Sequence, residues 1–226
     1  MAERVRGTAN ISLTDEGREQ IVSVAKLLKK LGGLDTLYFS NLKRCVQTAT
    51  VLKTAVMHEK NLGDKVDPWH LGKFEGQEVE KVKDRIEYYL FHPDEVVPGE
   101  GYHAPGESFN HFKERFLSVL SPLLSASKNS KIGIVVNYRT LTLAKAWVMA
   151  GAKGLDIVSS AMFAPAHTGE VLYFDPQDAS YPTVIDEDTK QKLKNGLYLI
   201  RHGETAWNEG AFSSNGNNAP TQGAGS

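Results

Sequence analysis

The chain is predicted to be an α/β protein: a three-layer sandwich with a mostly parallel central sheet flanked by helices. Three observations predict it. Segments of helical periodicity alternate with short apolar runs from residue 14 to residue 200. Two of those runs, 132–136 and 197–200, are continuously apolar rather than alternating, as strands covered on both faces are. The length of 226 residues suits one well-buried domain and is too short for two ordinary ones with a generous linker.

The elements follow in order. Thr14 is an N-cap candidate, and Asp15 and Glu16 behind it suit the positive end of a helix dipole. Ile21, Val24, Leu28 and Leu31 then share one helical face, Lys29 and Lys30 occupy the last turn, and Gly32-Gly33 stops the helix. Residues 35–39 read as a short strand and 42–56 as a second helix, with Cys45, Ala49, Leu52 and Val56 on one stripe. A third helix covers 78–91 and ends near Pro93. A fourth covers 107–124, with Phe109, Phe112, Phe116 and Val119 inward. After the buried strand 132–136, a fifth helix spans 139–150 and stops at Gly151; 170–174 and 197–200 are further strands. The domain is expected to run over 1–212. Residues 213–226 carry no charge and nothing more apolar than Ala or Pro, so they are expected to form a flexible polar tail.

Composition narrows the function classes. With 41% apolar and 23% charged residues the chain is globular rather than disordered. A net charge of -1 argues against a dedicated nucleic-acid binder, which usually carries a basic excess, but leaves room for a local basic pocket. The single cysteine, Cys45, excludes an internal disulfide and a multi-cysteine zinc site. No run approaches the roughly 20 apolar residues that cross a bilayer, and the first residues lack a signal-like apolar region. No membrane partner and a cytoplasmic location are therefore expected. No histidine and carboxylate share metal-ligand spacing, so neither metal nor cofactor is expected, and no feature sets the oligomeric state.

The chemistry concentrates in residues 197–208, where an apolar strand runs straight into Arg201-His202-Gly203-Glu204-Thr205 and then Trp207-Asn208. In open α/β sheets ligands bind beyond the carboxyl ends of strands. A histidine there is both accessible and rigidly held. An adjacent arginine offers a planar fork to phosphate oxygens, Gly203 lets backbone approach an anion, and Thr205 and Asn208 add neutral donors.

These residues resemble the histidine phosphatase superfamily, the phosphoglycerate-mutase-like proteins. The segment Ile11-Ser12-Leu13-Thr14-Asp15-Glu16-Gly17 is similar to the family's helix start. The stretch from Phe39 to Ala49 is similar to its Ser-Ser-x-Leu-x-Arg-x-x-Gln-Thr-Ala segment, and Pro105-Gly106-Glu107-Ser108-Phe109 with Phe112 and Arg115 matches another. The resemblance implies that His202 is the nucleophile, and that Arg201 and Arg44 grip the phosphate with help from Asn208. It also implies a small phosphorylated substrate, or inorganic phosphate, as the partner.

The chain departs from the family pattern in three ways. The Arg-His-Gly strand opens the chain in the family and comes last here, so the sequence reads as a circular permutant in which Glu209-Gly210 would join Glu3-Arg4. The family's second histidine, in a Val-Thr-His-Tyr-Arg context, aligns with Asn137 in Val136-Asn137-Tyr138-Arg139. The general acid, a Glu eight residues before a loop glycine in many members, aligns with Pro68 when the glycine is Gly76. Asp67 and His70 are the nearby titratable substitutes, with Glu75 less favoured. His167, ahead of the strand at 170–174, is expected to face the pocket. The expected function is a phosphomonoesterase working through a phosphohistidine and slowed by Asn137. A phosphoglycerate mutase and a non-catalytic phosphate-binding scaffold are the alternatives.

Overall fold

Apolar runs that need cover on both faces dictate the architecture. The computed structural model describes residues 2–152, 166–178 and 181–208, so the tail at 213–226 lies outside the described residues. Among the described residues, five α-helices and six strands follow one another as α1 (Asp15–Lys30), β1 (Leu34–Phe39), α2 (Lys43–Leu52), β2 (Val56–Asn61), α3 (Val79–Phe91), α4 (Phe109–Ala126), β3 (Lys131–Val136), α5 (Tyr138–Met149), β4 (Val171–Phe174), β5 (Thr183–Val184) and β6 (Gly196–Arg201). The strands form one sheet in the order β2-β1-β3-β6-β4-β5. From β2 to β6 the pairing is parallel; β4 runs antiparallel to β6, and β5 antiparallel to β4. The fold is the predicted three-layer sandwich with a mostly parallel sheet.

Period-two alternation sorts the strand side chains into two cores. Ile132, Ile134 and Val136 of β3, with Leu197 and Leu199 of β6, pack under α3, α4 and α5. Val135, Tyr198 and Ile200 face the opposite way, onto Ile21, Ala25 and Leu28 of α1 and Cys45, Ala49 and Leu52 of α2. Every residue of β6 is buried, which is why it reads as an unbroken apolar run. Thr14 caps α1, its side chain accepting the Gly17 N–H at 3.0 Å.

Two helix boundaries and one unexpected strand depart from the sequence reading. The helix expected over 42–56 stops at Leu52; a single 3-10 turn, Lys53–Ala55, leads into β2. The edge strand β2 is exposed after Val56 and carries Met57, His58, Glu59 and Lys60, so it lacks the alternation that announces a strand. The fourth helix begins at Phe109 because Ser108 caps it, its hydroxyl accepting the His111 N–H at 3.2 Å. Among the described residues no helix is long and apolar enough to cross a membrane.

The last described residues return to the first. Arg4 N donates to Trp207 O at 3.1 Å and Thr14 N to Glu204 O at 3.0 Å. Leu13 and Thr205 form an isolated antiparallel bridge. The segment after β6 is thus bound to residues 4–14, although nearly two hundred positions separate them in the chain.

Candidate active site

The site lies at the carboxyl ends of β3 and β6. Their parallel register pairs Val136 with Arg201, so the next residue of each strand, Asn137 and His202, emerges side by side. The His202 N–H donates to Val136 O at 3.1 Å and ties the two strand ends together.

His202 is 1% exposed. Its Nδ1 lies 2.6 Å from Gly203 O. A carbonyl only accepts, so Nδ1 carries the proton and Nε2 keeps its lone pair. Burial holds the ring well below its ordinary pKa, and the charges of Arg44, Arg201 and Arg6 push in the same direction. The imidazole is therefore neutral, with Nδ1 held as donor and Nε2 keeping a lone pair; the ring is not the accessible one expected, for it is buried and lines neither cavity described below.

Three arginines surround it. Arg44, at the start of α2, is fully buried: Nε donates to Asn137 Oδ1 at 2.7 Å, Nη1 to Ala9 O at 2.6 Å and Nη2 to Gly7 O at 2.8 Å. Arg201 donates from Nη1 to Ala166 O, stacks over Tyr138 with 5.5 Å to the ring centroid, and has a buried Nε with no hydrogen-bond partner. Burial lowers the pKa of both guanidiniums. Arg6 is pushed down to about 9, first by burial and then by Arg201, against the pull of Glu3. An arginine stays protonated under ordinary conditions; the direction means that these cations are crowded in a poorly solvated place. An anion would relieve that crowding.

A cavity of about 550 Å³ opens beside them, lined by Arg4, Arg6, Arg44, Arg139, Arg201 and Lys83, with Glu3 and Glu87 as its carboxylates. The cationic excess suits a phosphate dianion. Asn137, His167 and Asn208 line the same cavity. The Asn208 Oδ1 accepts from Thr205 N at 3.0 Å and Thr205 Oγ1 at 2.8 Å, which fixes the amide and leaves Nδ2–H₂ as the free donor end.

Other expected site residues stand differently. Thr205 is fully buried and acts on Asn208 rather than facing the cavity. Gly203 is needed for packing: a Cβ there would lie 2.3 Å from Gly17 O, at the point where α1 crosses the strand end. Asn137 presents its carbonyl, not its amide, to Arg44, and its Nδ2 lies 3.7 Å from Cys45 Sγ. Asp67 and His70 line a second cavity of about 480 Å³, with Asp64, Glu107, His111 and Arg115. The two cavities adjoin, because Gly7 and Pro68 line the first while Thr8 and Asp67 line the second. Burial pushes the Asp67 carboxyl up, against a Ser40 hydrogen bond and the charges of Arg115 and Arg44, and its Oδ1 is buried without a partner. Among the described residues no group of three or more His, Cys, Asp or Glu is arranged to hold a metal.

Sequence reasoning missed Arg6. It sits among ordinary terminal residues, and its sequence neighbours give no sign that it folds back beside Arg201.

Comparison with known proteins bears on the family and the fold. The sequence profile of the histidine phosphatase superfamily (branch 1) matches residues 1–168. Phosphoglycerate mutase-like protein 4 of Arabidopsis thaliana is 29% identical over 148 residues; the match covers 60% of this chain and 60% of that protein's length. Among solved structures, phosphoserine phosphatase of Entamoeba histolytica in complex with 3-phosphoglyceric acid aligns with a TM-score of 0.57 at 20% identity, covering 85% of this chain and 91% of that one. Bacillus stearothermophilus YhfR aligns at 0.56 and 16% identity, covering 85% and 91%. A mycobacterial glucosyl-3-phosphoglycerate phosphatase with inorganic phosphate aligns at 0.55 and 15%, covering 86% and 95%. At these identities the structural likeness is one of fold.

Proposed function

The chain belongs to the histidine phosphatase superfamily, and from that premise we propose that it is a phosphomonoesterase for a small phosphorylated metabolite, working through a phosphohistidine on His202. One observation carries the reading: a buried neutral imidazole, its Nδ1 held by Gly203 O at 2.6 Å, lies among the buried Arg44 and Arg201 and the partly buried Arg6. His202 Nε2 attacks phosphorus and the ester oxygen leaves. Arg201, Arg44 and Arg6, with Asn208 Nδ2, stabilise the equatorial oxygens as charge spreads over them. Asp67 is the favoured proton donor to the leaving oxygen, since burial keeps its carboxyl protonated to higher pH than usual. His70 is the second choice. Water then cleaves the phosphohistidine, and the carboxylate takes its proton back. His167 and Gly203 complete the proposed pocket, the first on its wall and the second by allowing the strand end to approach α1.

Asn137 stands, in this reading, where the family has its second histidine. It carries no charge and shuttles no proton, so turnover is slow. We also read β6 as the family's first strand moved to the end of the chain. The contact of Arg4 N with Trp207 O at 3.1 Å supports this, because a short join there would restore the family order. The chain would work in the cytoplasm as one domain over 1–212.

Trapping tests the reading. Brief incubation with a labelled phosphodonor should leave an acid-labile, base-stable phosphoryl group on the protein, absent from His202→Ala. Failure to label, with phosphate binding retained, would favour the scaffold alternative, which draws support from the protein carbonyls already seated on Arg44. Product analysis with phosphoglycerate separates hydrolysis from the mutase alternative.

A further inference from the structure

The wall between the two cavities is residues 7–9, and one buried carboxylate holds it. Glu75 is 8% exposed. Its Oε1 accepts from Thr8 N at 2.9 Å, Thr8 Oγ1 at 3.1 Å and Leu71 N at 3.1 Å, and its Oε2 lies 3.1 Å from the same hydroxyl. On the opposite side of the same three residues, Gly7 O and Ala9 O accept from Nη2 and Nη1 of Arg44. The segment is fitted closely against Glu75: Gly7 has φ +42°, and a Cβ there would lie 2.1 Å from Glu75 Oε1. A guanidinium has five N–H groups, and three of those on Arg44 are committed to Gly7, Ala9 and Asn137. Two remain, and the directions of the committed three decide where those two point.

We infer that Glu75 is a positioning residue for phosphate binding. It never touches the anion. It fixes the 7–9 segment, whose two carbonyls orient the Arg44 fork, and through Leu71 N it ties that segment to the loop whose Pro68 and Leu71 line the arginine cavity. The inference rests on Arg44 being a phosphate ligand. It gives a different role to a residue that the sequence offered only as a less favoured substitute for the general acid.

A simple field effect makes the opposite forecast. Glu75 is near enough to raise the pKa of Arg44, so removing its charge would make the cavity more positive and tighten phosphate binding in both Glu75→Gln and Glu75→Ala. Positioning depends on the acceptor oxygen instead. Glutamine keeps an Oε1 for Thr8 N and Leu71 N; alanine keeps none. Titrating the whole chain with inorganic phosphate by calorimetry separates the two. The expected result is Glu75→Gln within about threefold of the parent affinity and Glu75→Ala weaker by about tenfold or more, the scale of one net hydrogen bond. Equal or tighter binding by Glu75→Ala, in protein that near-ultraviolet circular dichroism shows to be folded, would overturn the inference. If Glu75→Ala does not fold, Gly7→Ala replaces it: the added methyl displaces the segment from Glu75, and phosphate should bind about tenfold more weakly, while unchanged binding would again overturn the inference. Arg44→Ala is the control for the premise. If that variant binds phosphate as the parent does, the reading of Arg44 fails; if it binds weakly and the variants at 75 and 7 do not, the role of Glu75 alone fails.

Discussion

Replacing Asn137 by histidine should raise kcat on a generic phosphomonoester by about 10²–10³-fold, the worth of one transition-state contact to a transferring group. The site sets the costs against which that gain must be read. Asn137 is 3% exposed, so the larger ring overpacks the strand end by about 1–3 kcal/mol. For a chain of this size each kcal/mol lowers the melting temperature by about 2–4 °C. Arg44 Nε also loses the Oδ1 that accepts it at 2.7 Å. If the ring's lone pair does not take over, a charge-assisted bond of about 1.5–3 kcal/mol is lost, which weakens phosphate binding by about ten- to a hundredfold. These losses fall on stability and KM, whereas the gain falls on kcat, so the two separate at saturating substrate. Burial first, and then the charges of Arg44, Arg201 and Arg6, should hold the new ring neutral in the free site, as they do His202, and a bound dianion will favour its protonated form. The gain should therefore be largest on the acid side. Hydrolysis of p-nitrophenyl phosphate between pH 5 and 8, well below the melting temperature, reads it directly. A folded Asn137→His variant with kcat within about twofold of the parent at every pH would refute the assignment of position 137.

Two further outcomes are expected. Gly203→Ala should lower the melting temperature, because its Cβ would meet the Gly17 carbonyl oxygen at 2.3 Å and only movement of α1 relieves that contact, at about 1–3 kcal/mol; an unchanged melt would mean α1 shifts freely. Stability should also fall as the pH drops below about 6.5, the ordinary histidine value: His202 is held neutral in the fold, so the unfolded chain takes up the proton first and is favoured, down to the lower pKa of the folded state. Denaturant midpoints from pH 7 to 5 should decline less steeply in His202→Gln, and parallel curves would argue against a neutral buried ring.

Much of the fold was legible because burial leaves a strong pattern. β3 and β6 are covered on both faces and read as unbroken apolar runs; α1 carries its cap, its dipole charges and its glycine stop within a single stretch. β2 was illegible for the converse reason: an exposed edge strand buries almost nothing, so hydrophobic selection leaves no period in it. The antiparallel direction of β4 left no local trace either, since its residues are apolar whichever way the strand runs.

The candidate site divides along the same line. Arg201, His202 and Asn208 could be read from the chain because they are close in sequence, on a strand end where α/β folds bind ligands. Arg44 was legible through its segment. The place of Arg6 beside Arg201, the committed fork of Arg44, and the division of Pro68 and Asp67 between two cavities were not. Each depends on contacts between segments far apart in the chain: Arg6 meets Trp207 O at 3.4 Å, and Arg44 meets Gly7 and Ala9. Periodicity and capping act over a few residues and are written locally. The direction of a guanidinium or a carboxylate is set by whichever distant backbone packs against it, and packing between distant segments exists only once the chain has folded.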